Sequence, residues 1–374
     1  MLRDSMMDLA RCLAERGRYT VAPNPLVGAV ISHDGKVVGE GWHSRAGERH
    51  AEVVALDGAG GAASGATMYV TLEPCNHYGR TPPCVEPILR AGISRVVVGH
   101  LDPDPRMQGR SVGLLREGGV EVEVLDASAF ERQNEQFFHH MLTGRPFVHL
   151  KLATTLDGRI AAAGGDSKWV TGEEARSRAH GLRAEAGAVL VGANTARTDD
   201  PMLTARDLPA PPPLITRVVL DPHLTMSPES RLAISTEVAP VVVFAEQPAL
   251  DGRERRLEVR GVEVVAAPTS EEGMDLGFVL EELGGRGIKG LLVEGGGETA
   301  TRFVREGLAD KMTLFYAPKL LGAEGVPMIG ALRATKVAES LQFSVSEVEK
   351  VGEDVAVTLY PGASREEERV HRAC

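Results

Sequence analysis

The sequence predicts an α/β protein of two domains. Three observations carry that expectation. Its 374 residues suffice for two domains of about 100–200 residues each. Strand-like apolar runs alternate with helical patterns through both halves, as in sheets covered by helices. Between the two series stands Thr143-Gly144-Arg145-Pro146, a Gly–Pro break that punctuates a helix end. Domains are therefore expected at 1–145 and 146–365, followed by a charged tail, 366–374, that carries Cys374. An ordinary loop within one large domain is the other reading of the break.

In the first half, apolar spacing over 4–18 predicts a helix, with Met7, Leu9, Ala10, Leu13 and Ala14 recurring at helical intervals. LVGAVIS (26–32) and VVGEGWH (37–43) flank a His-Asp-Gly-Lys turn and read as a hairpin. A helix over 50–56, a strand over 67–73, a helix over 84–92 and a strand over 95–100 follow. The series ends with a helix over 111–119, a strand over 120–125 and a helix over 128–142. The second half starts afresh with a strand at 147–156, a helix at 173–186 and strands at 188–193, 217–221, 241–246 and 262–267. A helix over 275–287, a strand over 290–296, a helix over 298–308, a strand over 311–321 and a hairpin over 344–360 complete it. LPAPPP (208–213) reads as a spacer.

Composition narrows the function. Hydrophobic residues make up 43% and charged residues 25%, the range of ordinary globular proteins. A formal charge of −11 weighs against a nucleic-acid binder, which needs a basic face. No apolar run reaches the roughly 18 residues of a membrane span, and the N-terminal stretch has no signal-peptide core. A cytoplasmic protein is expected. Four cysteines (Cys12, Cys75, Cys84, Cys374) are too few for a disulfide scaffold.

Two of those cysteines frame the stretch TLEPCNHYGRTPPC (71–84), and His50-Ala51-Glu52 lies upstream. His50 and Cys84 both open helices after loops, so His50, Cys75 and Cys84 are candidate ligands of one zinc ion per chain. Zinc takes Cys sulfur at about 2.3 Å and His nitrogen at about 2.0–2.1 Å, and three protein ligands leave a fourth position for water. Glu52, two residues past His50, is placed to move a proton between that water and a leaving amine. H-x-E followed by P-C and a second cysteine is the pattern of zinc deaminases. Here eight residues rather than two separate the cysteines, so the loop is longer than in a nucleobase deaminase. Two buried cysteines beside an exposed histidine would be the plain alternative. His77 is a rival ligand or a residue of the substrate mouth, and His43 packs or is solvated. Pro23 and Pro25 hold Asn24 rigidly, where its amide is able to read a pyrimidine edge; a simple rigid turn is the other reading.

Later, GLLVEGGGETATR (290–302) reads as strand, glycine turn and helix start. Such a turn lets backbone N–H groups approach a phosphate, or merely permits tight packing. Gly295, Gly297 and Ala300 fit G-x-G-x-x-G/A, but the acidic residue expected about 20 positions on is missing, which argues against a Rossmann domain.

These residues, with PNPLVGAVI, GEGWHSRAGERHAEVVAL, KLATTLDGRIAAAGGDSKWVT, TDDPMLTAR, VEGGGETA and APKLLG, resemble one family along nearly the whole chain. It is the bifunctional riboflavin-biosynthesis family joining a diaminohydroxyphosphoribosylaminopyrimidine deaminase to a 5-amino-6-(5-phosphoribosylamino)uracil reductase. The resemblance implies a cytidine-deaminase-like α/β/α domain followed by a dihydrofolate-reductase-like α/β domain. It implies hydrolytic deamination of 2,5-diamino-6-ribosylamino-4(3H)-pyrimidinone 5′-phosphate, then NADPH reduction of the ribosyl group to ribityl, giving 5-amino-6-ribitylaminouracil 5′-phosphate. It assigns His50, Cys75 and Cys84 to zinc and Glu52 to proton transfer. Cofactor contacts are implied at Ala153, Trp169, Thr195, Asp199, Gly296, Gly297, Glu298, Thr299, Ala300, Thr301 and Arg302. Substrate contacts are implied at Ser167, Arg183, Leu203, Arg206 and Glu294.

Trp169 suits stacking on a flat ring or the core. Arg183 and Arg206 suit a phosphate, which a guanidinium fork grips with two bonds, or the open surface. Asp199 is the candidate to orient the reacting sugar, and Lys151 a candidate proton donor or electrostatic support. Ala196-Arg197 stands where the family more often has an apolar residue, altering the edge of the cofactor pocket. A small-molecule substrate, no nucleic acid, no membrane and a homo-oligomer, most commonly a dimer, complete the expectation. The competing readings are a nucleic-acid-editing deaminase with a binding module, and a zinc-stabilised structural protein without turnover.

Overall fold

The computed structural model describes residues 2–76, 82–209, 211, 214–246 and 252–362. His77 and the tail at 366–374 lie outside the described residues. The chain divides into two compact units, Met1–Arg145 with Pro209–Pro213, and Pro146–Leu208 with the chain from Leu214 onward.

The first unit runs α1 (Leu2–Ala14), β1 (Gly28–His33), β2 (Lys36–Trp42), α2 (Ala51–Ala59), β3 (Thr67–Val70), α3 (Val85–Arg90), β4 (Arg95–Val98), α4 (Arg110–Glu117), β5 (Glu121–Val124), α5 (Ser128–Gln133) and α6 (Glu135–Thr143). Its sheet has the order β2-β1-β3-β4-β5. β1 pairs antiparallel with both β2 and β3, whereas β3, β4 and β5 are parallel. Because side chains alternate across a strand, Ile31, Met68, Val70, Val96 and Val98 pack on Ala51 and Ala55 of α2, Ile88 of α3 and Leu115 of α4. Val30, Tyr69 and Val97 pack on Met7, Ala10 and Leu13 of α1 from the opposite face. That is an α/β/α sandwich.

Two expectations shift here. The strand expected over 67–73 ends at Val70, so Cys75 stands in irregular backbone beyond it. The helix expected over 128–142 breaks at Asn134, whose buried side chain accepts from the Leu26 N–H (2.7 Å) and donates to the Leu26 carbonyl (3.0 Å). A tertiary bond overrides local helix preference there.

The second unit runs β6 (Phe147–Thr155), β7 (Arg159–Ala161), α7 (Glu173–Ala186), β8 (Ala188–Gly192), α8 (Ala193–Asp199), β9 (Thr216–Leu220), β10 (Val241–Glu246), α9 (Arg253–Glu258) and β11 (Glu263–Ala267). It continues with β12 (Thr269–Ser270), β13 (Gly273–Met274), α10 (Leu276–Gly285), β14 (Gly290–Glu294), α11 (Gly297–Arg305), β15 (Lys311–Ala317), β16 (Val326–Pro327), β17 (Phe343–Val351) and β18 (Asp354–Pro361). Nine strands form one sheet in the order β11-β10-β9-β8-β14-β6-β15-β18-β17. The first seven in that order are parallel, and the closing hairpin is antiparallel. Leu150, Leu190, Val218, Leu291 and Val293 face α10 and α11. Their neighbours Val189, Val191, Val219 and Leu292 face α7. Lys151 and Glu294 fall on the α7 side by the same alternation.

On β9 of this unit, Arg217 is fully buried and hydrogen-bonded to neutral oxygens, with Glu237 near enough to favour its charge. Its guanidinium donates to the Ser235 hydroxyl (2.8 Å) and to the carbonyls of Ser235 (2.7 Å), Ala239 and Met202. It thereby ties the 200–203 segment and the turn at 232–239 to the sheet.

In the first unit, α2 lies so close to β2 that a Cβ on Gly41 would stand 2.2 Å from the Ala51 carbonyl oxygen and 2.6 Å from the Ala55 nitrogen. Both obstacles are backbone, so nothing is free to swing aside. The contact fixes the start of α2, which His50 caps. Gly41→Ala should cost about 1–3 kcal/mol of stability in this unit through overpacking and accelerate hydrogen exchange in α2. Unchanged exchange over 51–59 would show that the helix does not depend on this contact.

Candidate active sites

The first site forms where two helices begin. His50 is the N-cap of α2 and Cys84 the N-cap of α3. The Cys75 carbonyl accepts the N–H groups of Cys84 (3.0 Å) and Val85 (3.4 Å), and its sulfur takes the Cys84 N–H at 3.3 Å. These bonds hold the 75–84 ends together and bring both sulfurs to the imidazole. His50 Nδ1 lies 3.2 Å from Cys84 Sγ and 3.4 Å from Cys75 Sγ. The three ligand atoms lie within 4.8 Å of one another. Two soft sulfurs and one imidazole nitrogen at that spread fit zinc, whose ligands stand about 2.0–2.3 Å from the ion. Hydrogen bonds from Cys84, then His50, hold the Cys75 thiol down to about 4 despite burial, whereas the neighbouring Cys75 sulfur and burial push Cys84 upward. A lowered Cys75 thiol suits a metal ligand, which binds as the thiolate.

Glu52 is 3% exposed. Burial, reinforced by the Cys75 charge, pushes its carboxyl up to about 7. A group balanced near neutrality both accepts and returns a proton, the property a general acid–base needs.

His43, expected to pack or be solvated, is buried and bonded. Its Nδ1–H donates to the Arg49 carbonyl (3.2 Å), leaving Nε2 to accept from the Asn24 amide at 3.0 Å. Its ring meets that of His50 edge-on with centroids 5.2 Å apart. Asn24 therefore stands in the His50 neighbourhood with its carbonyl oxygen and second N–H uncommitted by this bond. Glu73 also escaped the sequence reading. Its buried carboxylate accepts the backbone N–H groups of Asp102 (3.1 Å), Gly109 (2.9 Å) and Ser111 (3.0 Å), tying the loop before α4 to the chain two residues ahead of Cys75. The only sequence signal for either residue was its place inside a motif.

The second unit holds a cavity of about 1240 Å³ at the carboxyl ends of β6, β14, β8 and β9, where parallel sheets bind ligands. Ala153, Trp169, Thr195 and Asp199 line it, as do Gly296, Gly297, Glu298, Thr299 and Arg302. Ala300 and Thr301, expected with them, do not. The period of α11 turns both into the buried side, where Ala300 joins the core and the Thr301 hydroxyl donates to the Gly297 carbonyl and accepts the Gly330 N–H (2.7 Å). All five residues expected to meet substrate in this unit, Ser167, Arg183, Leu203, Arg206 and Glu294, line the cavity. Trp169 is 64% exposed, with the Arg176 guanidinium 4.6 Å from its ring, so it is not a core residue.

The glycine turn does two jobs. The Gly296 N–H donates to the Thr195 hydroxyl (3.1 Å), and a Cβ on Gly297 would meet the Pro327 carbonyl oxygen at 2.4 Å. Tight packing thus brings α11 to the cavity wall, with its first turn directed at the space. A cavity of this volume beside a helix start fits a dinucleotide with a diphosphate.

Arg183 departs from the expectation of a free phosphate fork. Its Nε and Nη2 donate to the two carboxylate oxygens of Glu294, both at 2.7 Å, and Nη1 donates to the Thr204 carbonyl at 3.0 Å. Arg206 keeps its side chain 59% exposed, 3.6 Å from Asp207. Burial works to raise the Glu294 pKa, but the Arg183 charge and hydrogen bonds overcome it and hold the carboxyl at about 2. The Lys151 pKa is lowered as well, in its case by burial and despite Glu294 beside it.

Two family models match: the cytidine and deoxycytidylate deaminase zinc-binding region over residues 2–100, and the RibD C-terminal domain over residues 146–357. The chain is 45% identical over 352 residues to the riboflavin biosynthesis protein RibD of Aquifex aeolicus, covering 94% of this chain and 96% of that one. It is 40% identical over 357 residues to the Escherichia coli protein of the same description, covering 93% and 96%. Among solved structures, Acinetobacter baumannii RibD superposes with a TM-score of 0.88 at 37% identity, covering 97% of this chain and 99% of that one. A diaminohydroxyphosphoribosylaminopyrimidine deaminase/5-amino-6-(5-phosphoribosylamino)uracil reductase from Thermotoga maritima gives 0.82 at 36% identity, covering 96% and 99%.

The Arg183–Glu294 pair makes a testable demand on the second unit. Glu294 has a native pKa below its ordinary 4.5, so the unfolded chain binds the proton first as acid is added. Its contribution is full above about 4.5 and is lost as pH falls toward about 2. At about 1.4 kcal/mol per unit the span is on the order of 3 kcal/mol. Urea unfolding between about pH 5 and pH 3 should show a clearly shallower pH slope for Glu294→Gln than for the parent; equal slopes would contradict the assignment.

Proposed function

This chain belongs to the RibD family of riboflavin-biosynthesis proteins, and from that premise we propose which of its residues carry each reaction. It is a bifunctional enzyme: a zinc-dependent pyrimidine deaminase followed by an NADPH-dependent reductase. Its substrate is the diaminopyrimidine ribosyl phosphate, and its product the ribitylaminouracil phosphate.

In the deaminase unit His50, Cys75 and Cys84 would hold the zinc. When bound, the ion supplies the Lewis acidity that makes a water nucleophilic near neutral pH. Glu52 does the proton work. Its carboxylate takes a proton from the attacking water and the carboxylic acid returns it to the departing amine, in a pocket whose burial favours the protonated form. Burial keeps that proton from bulk water. Asn24 offers one acceptor and one donor to the pyrimidine edge, and His43 fixes which way the amide faces.

In the reductase unit the cavity residues from Thr195 and Gly296 to Thr299 would hold NADPH, which when bound would supply a hydride for the ribosyl carbon. Glu294, kept ionised by Arg183, serves as an acceptor for sugar hydroxyls. Lys151 carries the proton. It sits on β6 opposite Glu294 on β14, and burial makes its ammonium readier to donate. Asp199 orients the sugar from the end of α8, Ser167, the Leu203 backbone and Arg206 close on substrate, and Trp169 offers a flat face to the cofactor. Among the described residues no helix is long and apolar enough to cross a membrane, which accords with a cytoplasmic setting. A homodimer is the assembly we favour. β17 is paired on one side only, and Val345 and Val348 on it are 61% and 62% exposed.

The observation that carries this reading is the His50–Cys75–Cys84 cluster with Glu52 beside it. Glu52→Gln should keep one zinc per chain by elemental analysis and lose ammonia release about 10²–10⁴-fold, while NADPH oxidation on the already deaminated compound continues. Chelation should reproduce the same split. Deamination surviving in Glu52→Gln would remove that residue from the mechanism. Loss of both reactions in a folded, zinc-loaded protein would overturn the picture of two separate sites.

A further inference from the structure

The reductase cavity is longer than the reaction needs, and its far end is basic. β14 is central to it, with β6 on one side and β8 then β9 on the other. The groups assigned to substrate binding and proton transfer, Glu294 and Lys151, lie at the β6–β14 seam. The glycine turn and the start of α11, on β14 itself, suit the diphosphate. A dinucleotide with its reacting ring at that seam must lay its adenosine over β8 and β9, about 10 Å from β14 at the usual strand spacing. There the wall changes character. Arg197 from α8, His223 just beyond β9 and Arg231 all line the cavity.

The two arginines are not tied up in ion pairs among the described residues. Arg197 donates to the neutral Asn194 side chain at 3.0 Å. Asp200 takes only the backbone N–H of Arg231, at 2.8 Å. Asp221, at the end of β9, occupies the place where an acidic side chain would grip a free ribose hydroxyl and favour NADH. It lines the cavity, but its oxygens are engaged within its own loop. It is 1% exposed, and its oxygens accept the Thr225 hydroxyl (3.0 Å) and the Met226 N–H (2.7 Å). The acid is spent on shaping the loop that presents His223.

We propose that Arg197 and Arg231, with His223 at the rim, form the seat for the 2′-phosphate of NADPH and set its preference over NADH. The inference rests on the reading of this cavity as the cofactor site. A phosphate monoester brings about −1.5 to −2 charge, and guanidinium forks bind it through paired, charge-assisted bonds.

Calorimetric titration of the purified full chain with 2′,5′-ADP and with 5′-AMP tests this without turnover. The parent should bind 2′,5′-ADP the more tightly. The Arg197→Ala/Arg231→Ala double variant should bind it at least about tenfold more weakly, a loss of about 1.4 kcal/mol, and bind 5′-AMP within about twofold of the parent. Both side chains are exposed, and a matching melting curve confirms the fold. An undiminished preference in the double variant overturns the seat while leaving the cofactor reading intact. Equal weakening of both nucleotides also overturns it, because the arginines would then hold the common part. A parent without preference for the 2′-phosphate overturns the NADPH reading of the cavity itself.

Discussion

The deaminase centre depends on how one carbonyl is satisfied. The Cys75 C=O lies beyond the end of β3, where no neighbouring strand is left to bond it, and it takes the first N–H groups of α3 instead. A strand end and a helix start each leave backbone groups without partners, and here each answers the other. The loop between is closed at its base, so both sulfurs reach the imidazole at the head of α2 whatever the intervening residues do. The position of α2 is in turn set by bare backbone against β2. Three candidate ligands from distant parts of the sequence thus converge.

The reductase centre solves a different problem, that of keeping charge in a place poor in water. The Glu294 carboxylate is buried at the end of a central strand, which is costly unless it is paired and hydrogen-bonded. Arg183 supplies both charge and fork geometry, and the Thr204 carbonyl accepts a third N–H of its five. The arginine therefore acts on the cavity chiefly through the acid it fixes. Such a pair adds little to stability over a well-packed apolar one, but it gives the site a permanent anion of fixed direction.

Much of this was legible in the residues. Alternating strands and helices gave both sheets, and the order of His50, Glu52, Cys75 and Cys84 gave the metal centre. What escaped depends on partners far along the chain. His43 matters because of Asn24 and Arg49, and Glu73 because of Asp102, Gly109 and Ser111, none of which local spacing links to it. α8 was missed because Asn194, Thr195, Thr198 and Asp199 are weak helix formers, and it follows β8 with no loop to announce it. The two residues of α11 that turn inward show the limit of carrying over a continuous run: a helix shows only one side to any cavity.

Arg217 carries a restriction of its own. A cation wholly withdrawn from water is surrounded by neutral oxygens, two of them offered to one nitrogen. A flat, branched head serves several acceptors at once. An ammonium group, compact and more strongly hydrated, would leave some of those oxygens bare and resist leaving solvent. Position 217 is therefore closed to lysine, although the two residues bear the same charge, and tolerance at this spot is decided by the shape of the ion.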